Sequence, residues 1–155
     1  DVETLANPPA CWYFDCMAST ELRKITLQIE TGLLMRLKIY AVTNGIDYSR
    51  AVAGAVHAVA DDPNRPTDFA SFKKKYRHAG ISSVAVTGRG SPSAEFRAKH
   101  GPILRKKATF RLLPNTVRTI RTYGVNTLRL DRSTFVNMAI KVFLDGNARR
   151  GRGEG

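Results

Sequence analysis

The sequence predicts an α+β fold, mostly helical, in which one strand–helix–helix unit occurs twice. Three observations carry this. Apolar and polar residues alternate strictly in two short stretches, Lys24–Ile29 and Ala108–Leu112, the period of a half-buried strand. Each stretch is followed by apolar residues at three- and four-residue steps, the spacing of a helix face. The two blocks also superimpose. At an offset of 83, Thr26 matches Thr109, Tyr40 matches Tyr123 and Val42 matches Val125. One extra residue in the second turn moves the offset to 84, where Asp47/Asp131, Ser49/Ser133, Val52/Val136, Ala55/Ala139 and Asp61/Asp145 match. Eight identities over about forty positions indicate an internal repeat.

Residues 1–21 read as an irregular leader, with prolines at 8 and 9 and the apolar cluster Cys11-Trp12-Tyr13-Phe14. Met17-Ala-Ser-Thr looks like a native start, which would make the first sixteen residues separable. The first unit, residues 22–60, opens with a strand that turns Ile25, Leu27 and Ile29 to one side. Its first helix begins at Thr31, with Leu34, Leu37, Tyr40 and Ala41 as the stripe, and stops at Asn44-Gly45. Asp47 caps a second helix whose buried side is Val52, Ala55, Val56 and Val59.

The stretch 61–104 is a basic linker. Across residues 61–107 eleven Lys or Arg stand against four acids. Phe69, Phe72 and Tyr76 around the lysine run suggest a short basic helix with one apolar side, and Ile81–Val86 a strand or a packing segment. The second unit, residues 105–146, repeats the order. Ala108, Phe110 and Leu112 face inward, with Phe110 expected in the shared core opposite Leu27. A helix starts at Pro114, where the missing N–H costs nothing, with Val117, Ile120, Tyr123 and Gly124 as its stripe. Asp131 caps a last helix that buries Val136, Ala139, Ile140 and Phe143. Residues 147–155, rich in Gly and Arg, read as a disordered basic tail.

A chain of 155 residues with 43% apolar or aromatic content holds one domain with a real core. Its net charge of +12 points to a polyanion as partner. No apolar run approaches a membrane span, and no segment joins a lysine-rich face to a continuous apolar stripe, so a membrane partner is not expected. The N-terminus lacks a secretory layout, which predicts a cytoplasmic protein.

The single short strand followed by two helices resembles the ribbon-helix-helix family of DNA-binding proteins, that of the Arc and MetJ repressors. The outward Lys24-Thr26-Gln28, the turn Asn44-Gly45-Ile46-Asp47-Tyr48-Ser49 and their second-copy counterparts carry the resemblance, over about half the chain. A lone five-residue strand needs a partner strand, and family members find it by homodimerising. Here both halves lie in one chain, so the resemblance implies an intramolecular pseudo-dimer, monomeric without DNA, with a two-stranded antiparallel ribbon. In this tandem form the chain looks like the TraY-like conjugation accessory proteins.

What the resemblance implies for function follows the ribbon. Such a ribbon fits the major groove of double-stranded DNA, where base edges carry a distinguishable pattern. Lys24, Thr26 and Gln28 from one strand, and Lys107, Thr109 and Arg111 from the other, then take the base-contacting positions. The start of each second helix is an anion site, with Tyr48, Ser49, Arg50, Arg132 and Ser133 as phosphate contacts; Asp47 and Asp131 are assigned to capping. Lys73, Lys74, Lys75 and Arg77 are further phosphate candidates. The bland alternatives are a solvent-facing strand and a solvated linker.

The catalytic search is empty. His57, His78 and His100 are scattered, Cys11 and Cys16 lack further ligands, and no phosphate-binding loop is present. No enzyme activity, metal or other cofactor is expected. The expected role is an accessory factor of conjugative or plasmid DNA processing, with a relaxase or another DNA-processing protein as partner, or an autoregulator. Alternatives are a copy-control or antitoxin-type repressor and, from another class, a basic RNA-associated structural protein.

Overall fold

The computed structural model describes residues 21–81, 84, 94–100 and 104–151. It is α+β and mostly helical, with one two-stranded antiparallel sheet. The strands are β1 (Arg23–Glu30) and β2 (Arg105–Leu112). The helices are α1 (Thr31–Thr43), α2 (Tyr48–Ala60), α3 (Phe69–Lys75), α4 (Ala94–His100), α5 (Pro114–Thr119) and α6 (Arg132–Gly151). A single 3₁₀ turn, Arg77–Ala79, follows α3, and π-helical turns, Ile120–Thr127, extend α5.

Alternation sets the sheet. Ile25, Leu27 and Ile29 of β1 and Ala108, Phe110 and Leu112 of β2 are buried, so one face of the ribbon closes the core and the other stays free. The register pairs Ile25 with Phe110, Thr26 with Thr109 and Leu27 with Ala108. Phe110 is buried as expected, but its partner is Ile25, not Leu27. The side-chain facing was fixed by the period of two, whereas which residue stands opposite depends on the strand register. The Tyr48 ring lies 5.1 Å from that of Phe110, which ties α2 to β2.

Beneath the ribbon, Leu33, Leu34, Leu37 and Ala41 of α1 pack with α2 and α6. Tyr40 is half-buried and meets Phe143 edge-on at 5.2 Å. The inner face of α2 is small, with Ala51, Ala55 and Ala60 beside Val52, Val56 and Val59. It therefore approaches α6 closely, where Phe135, Val136, Met138, Ala139 and Ile140 are buried. Across the surface, Arg36 of α1 bonds Asp145 of α6 at 2.9 Å. His57 joins α2 to α5, with Nδ1 2.9 Å from the Asp61 carboxylate and Nε2 2.9 Å from the buried Thr116 hydroxyl.

The helix ends follow the residues that mark them. Gly45 is left-handed at φ 68°, closing α1, and Asn44 returns its amide to the Tyr40 carbonyl at 2.8 Å. Asp47 accepts from the Arg50 amide at 2.8 Å, and Asp131 from the Thr134 amide at 3.2 Å, as N-caps do. Arg129, which aligns with Gly45, also has positive φ, at 62°.

The extra residue of the second unit is not in the turn but inside the helix. In the first unit the Asn44 amide donates to Tyr40 O at 3.0 Å and Ile46 to Ala41 O at 3.0 Å. The corresponding bonds run from Leu128 to Tyr123 O at 2.9 Å and from Leu130 to Gly124 O at 3.0 Å. The wider π turns absorb one residue between Tyr123 and Leu128, as single π bulges do. Gly124 lies in this bulge against α6, and a Cβ there would meet Phe135 Cγ at 2.5 Å. Gly124→Ala is accordingly expected to cost about 1–3 kcal/mol by overpacking, seen as a lower denaturant midpoint with the slope unchanged.

The linker is more structured than a bare connection. Phe72 and Tyr76 are buried and Phe69 is half-buried, so α3 has the apolar side expected of it. Ile81 and Val84 are buried as well, whereas the rest of Ile81–Val86 lies outside the described residues. The helix α4 within the linker was not anticipated. Nor was the length of α6, which runs through Gly151 into the stretch read as disordered tail. Ala148, Arg149 and Arg150 are good helix formers that extend an established helix. Residues 1–20 and 152–155 lie outside the described residues. No described helix is long and apolar enough to cross a membrane.

Candidate nucleic-acid interface

The free face of the ribbon carries the six predicted base-contacting residues together. Lys24, Thr26, Lys107, Thr109 and Arg111 are exposed, and Gln28 is half-exposed. Lys24 stands opposite Arg111, Thr26 opposite Thr109 and Gln28 opposite Lys107. At the middle, the Thr26 and Thr109 hydroxyls are 3.1 Å apart, the close approach of a non-hydrogen-bonded pair. Like charges directly opposite destabilise a sheet, yet Lys24 and Arg111 face each other, and the acid on this side of the ribbon, Glu30, stands at the far end opposite Arg105. The two strands hold Arg23, Lys24, Arg105, Lys106, Lys107 and Arg111 against Glu30 alone. That arrangement suits a surface that meets an anion.

A two-stranded ribbon has two open edges. Here side chains at the starts of α2 and α6 close them. On the β2 edge, Ser49 Oγ accepts from the Arg111 amide at 3.0 Å and the Tyr48 hydroxyl donates to Thr109 O at 2.9 Å. On the β1 edge, Ser133 Oγ accepts from the Gln28 amide at 3.0 Å. Asn137 adds two bonds: its Oδ1 accepts from the Glu30 amide and its Nδ2 donates to Gln28 O, each at 3.0 Å.

The predicted phosphate contacts separate on this geometry. Tyr48 is committed to the ribbon through its hydroxyl. Ser49 and Ser133 are held through Oγ as acceptors, which leaves each hydroxyl proton to donate. Arg50 and Arg132 are exposed in the first turns of α2 and α6. In the linker, Lys75 is bound to Asp62 at 2.6 Å and to Asn64 O at 3.1 Å. That hydrogen bond holds the Lys75 ammonium above its ordinary pKa and the Asp62 carboxyl below its own. Lys73 lies over the Phe69 ring at 4.8 Å, while Lys74 and Arg77 are exposed.

Sequence reading missed Asn137, because its polarity marks it for a surface and nothing local shows the strand edge it meets. It also missed the Pro66 carbonyl, which receives the Tyr123 hydroxyl at 2.7 Å. Burial pushes that phenol up to about 12. Among the described residues, no group of three or more His, Cys, Asp or Glu is placed to hold a metal ion.

Comparison with protein-family models, curated proteins and solved structures finds no match for the chain.

Proposed function

We propose that this chain is a sequence-specific binder of double-stranded DNA, built as two ribbon-helix-helix units that pair within one chain. The single observation that carries the reading is the free ribbon face, with its six outward polar residues and its excess of cations over acids. Internal pairing is supported by crossed contacts. Ser49 of the first unit binds the second strand at Arg111, and Ser133 of the second binds the first strand at Gln28. Under the repeat, serine corresponds to serine and Gln28 to Arg111. The repeat-equivalent Thr26 and Thr109 also pair with each other, as two units related by a local two-fold axis would require.

The ribbon enters the major groove with this face toward the bases. One end presents Lys24 and Arg111, both suited to guanine O6 and N7. The other presents Gln28 with Lys107, suited to adenine beside guanine. The site read is therefore asymmetric. Arg50, Arg132 and the Ser49 and Ser133 hydroxyls bind flanking phosphates at the helix starts. Lys74 and Arg77 add phosphate contacts. The role is that of a cytoplasmic accessory factor in conjugative or plasmid DNA processing, helping to place a relaxase, or of an autoregulator. No catalytic step is assigned to the chain. Double-stranded RNA is disfavoured as the ligand, because the A-form major groove is too narrow for side-chain readout.

The test is selection from random duplexes, followed by titration of parent and variants at fixed salt. Gln28→Ala and Arg111→Ala should each cost about 1–3 kcal/mol on the selected site and much less on random DNA. Each should relax preference at a different end. Lys74→Ala should weaken all DNA alike and flatten the salt slope by about one unit. Equal losses on selected and random duplexes would remove base reading and leave a basic surface.

A further inference from the structure

The outer side of α1 presents an apolar row. Met35, Ile39 and Val42 follow one another by helical turns and are 65%, 60% and 81% exposed among the described residues. With Leu34 they line a groove of about 510 Å³ whose remaining lining includes Lys38 and Lys106 and no acid. The repeat provides an internal control. The aligned positions in the second unit are Arg118, Thr122 and Val125, so the fold itself does not ask for an apolar row there. Exposed apolar side chains gathered in this way, with polar residues at the rim, mark a contact surface.

We infer that this groove docks an acidic amphipathic helix of a partner protein. The partner's apolar residues lie against Met35, Ile39 and Val42, and its Asp or Glu side chains face Lys38 and Lys106. Spacing gives the helix. From Met35 to Val42 the row runs about 10 Å along α1, which matches two turns of a second helix carrying apolar residues at i, i+3 or i+4, and i+7. Side chains at three- and four-residue steps on α1 are the ridges against which such a helix packs. Charge gives the acids. Among the described residues, neither Lys38 nor Lys106 has an acidic partner, and the Lys38 ammonium lies over the Tyr48 ring at 5.6 Å. Opposite charge on the partner fixes its register and speeds the encounter. A second copy of this chain is a poorer occupant, because it would bring Lys38 and Lys106 against their own equivalents in a chain of net charge +12. The groove also lies apart from the DNA-reading row. Lys106 belongs to the alternate row of β2 that continues into the buried Ala108, Phe110 and Leu112, not to Lys107, Thr109 and Arg111. The inference therefore does not rest on the DNA reading, and both surfaces can be occupied at once.

The test is selection of short helix-forming peptides from a randomised phage-displayed library on the full chain, followed by fluorescence anisotropy of the labelled selected peptides at physiological ionic strength. Expected are peptides with an apolar row at i, i+3 or i+4, and i+7, flanked by Asp or Glu. Ile39→Gln combined with Val42→Gln should weaken them roughly ten-fold or more, with far-ultraviolet circular dichroism unchanged. Ile39→Leu should keep binding, which separates a lost contact from a disturbed fold. Lys38→Glu combined with Lys106→Glu should weaken the acidic peptides several-fold and turn preference toward versions with Lys in place of their acids. The first of these losses should be insensitive to salt and the second reduced by it. Random duplex DNA should leave the peptides bound. An empty selection, peptides without the pattern, or binding indifferent to the glutamine pair would each overturn the inference. Displacement by duplex DNA would move the site to the ribbon and overturn it as well. Self-association, or binding to anionic vesicles, that the glutamine pair abolishes would assign the row to a second copy or a lipid surface instead.

Discussion

Replacing Phe110 with alanine is expected to cost about 3–5 kcal/mol of folding stability, the range for truncating a buried phenylalanine. Phe110 is 0% exposed, and its loss empties the space between β2, Ile25 and the Tyr48 ring. The Tyr48 ring would lose its neighbour while its hydroxyl still bonds Thr109 O, so the contact between the α2 start and the ribbon should loosen too. For a domain of ordinary stability, about 5–15 kcal/mol, that is a large fraction of the whole. Urea titration read by circular dichroism measures it, with the slope checked for two-state behaviour. A variant melting within a few degrees of the parent would mean that the residue faces outward and the ribbon register is shifted by one.

Asn137→Leu should cost about 2–4 kcal/mol although the branching of the side chain is kept. Asn137 is 0% exposed and bridges Gln28 O and the Glu30 amide on the edge of β1. Leucine would leave both edge groups without this partner, and an unsatisfied buried polar group costs about 1–3 kcal/mol. The amide orientation is fixed by the site: Nδ2 meets the carbonyls of Gln28 and Ser133, and Oδ1 meets an N–H. Asn137→Asp should therefore be no milder, because it sets a carboxylate oxygen against two carbonyls. Hydrogen exchange separates the mechanism from general destabilisation. The Glu30 amide should lose protection at denaturant concentrations where the amides of α2 retain it. Unchanged exchange at Glu30 would show that the side chain does not close that edge. If the DNA reading holds, the same variant should lower affinity for the selected site, because Gln28 stands on the loosened strand.

The two substitutions also mark where the sequence was sufficient. Phe110 was legible as core because alternation in a strand depends only on the backbone period, and the period is local. The same held for Ile25, Leu27 and Ile29, for the Asp47 and Asp131 caps, and for the left-handed Gly45, each a consequence of residues within a few positions. Asn137 was not legible. Its strand partners lie more than one hundred residues away, and an Asn in a helix carries no local sign of a strand edge. The Ser49 and Ser133 hydroxyls were placed correctly at the helix starts, but their bonds to the opposite strand belong to the tertiary arrangement.

By itself, then, the sequence determined the two strands, the helices that follow them, the buried face of each and the residues on the outer face of the ribbon. These depend on periodicity, capping and charge, which act within a turn or two of the chain. The tertiary structure alone decided the register that sets Phe110 against Ile25 and Thr26 against Thr109. It also decided that the extra residue of the second unit enters π turns, where Gly124 meets Phe135. Last, it left Met35, Ile39 and Val42 of α1 exposed among the described residues. A local pattern can say that a residue is apolar, but only the packing of distant elements decides whether anything lies over it.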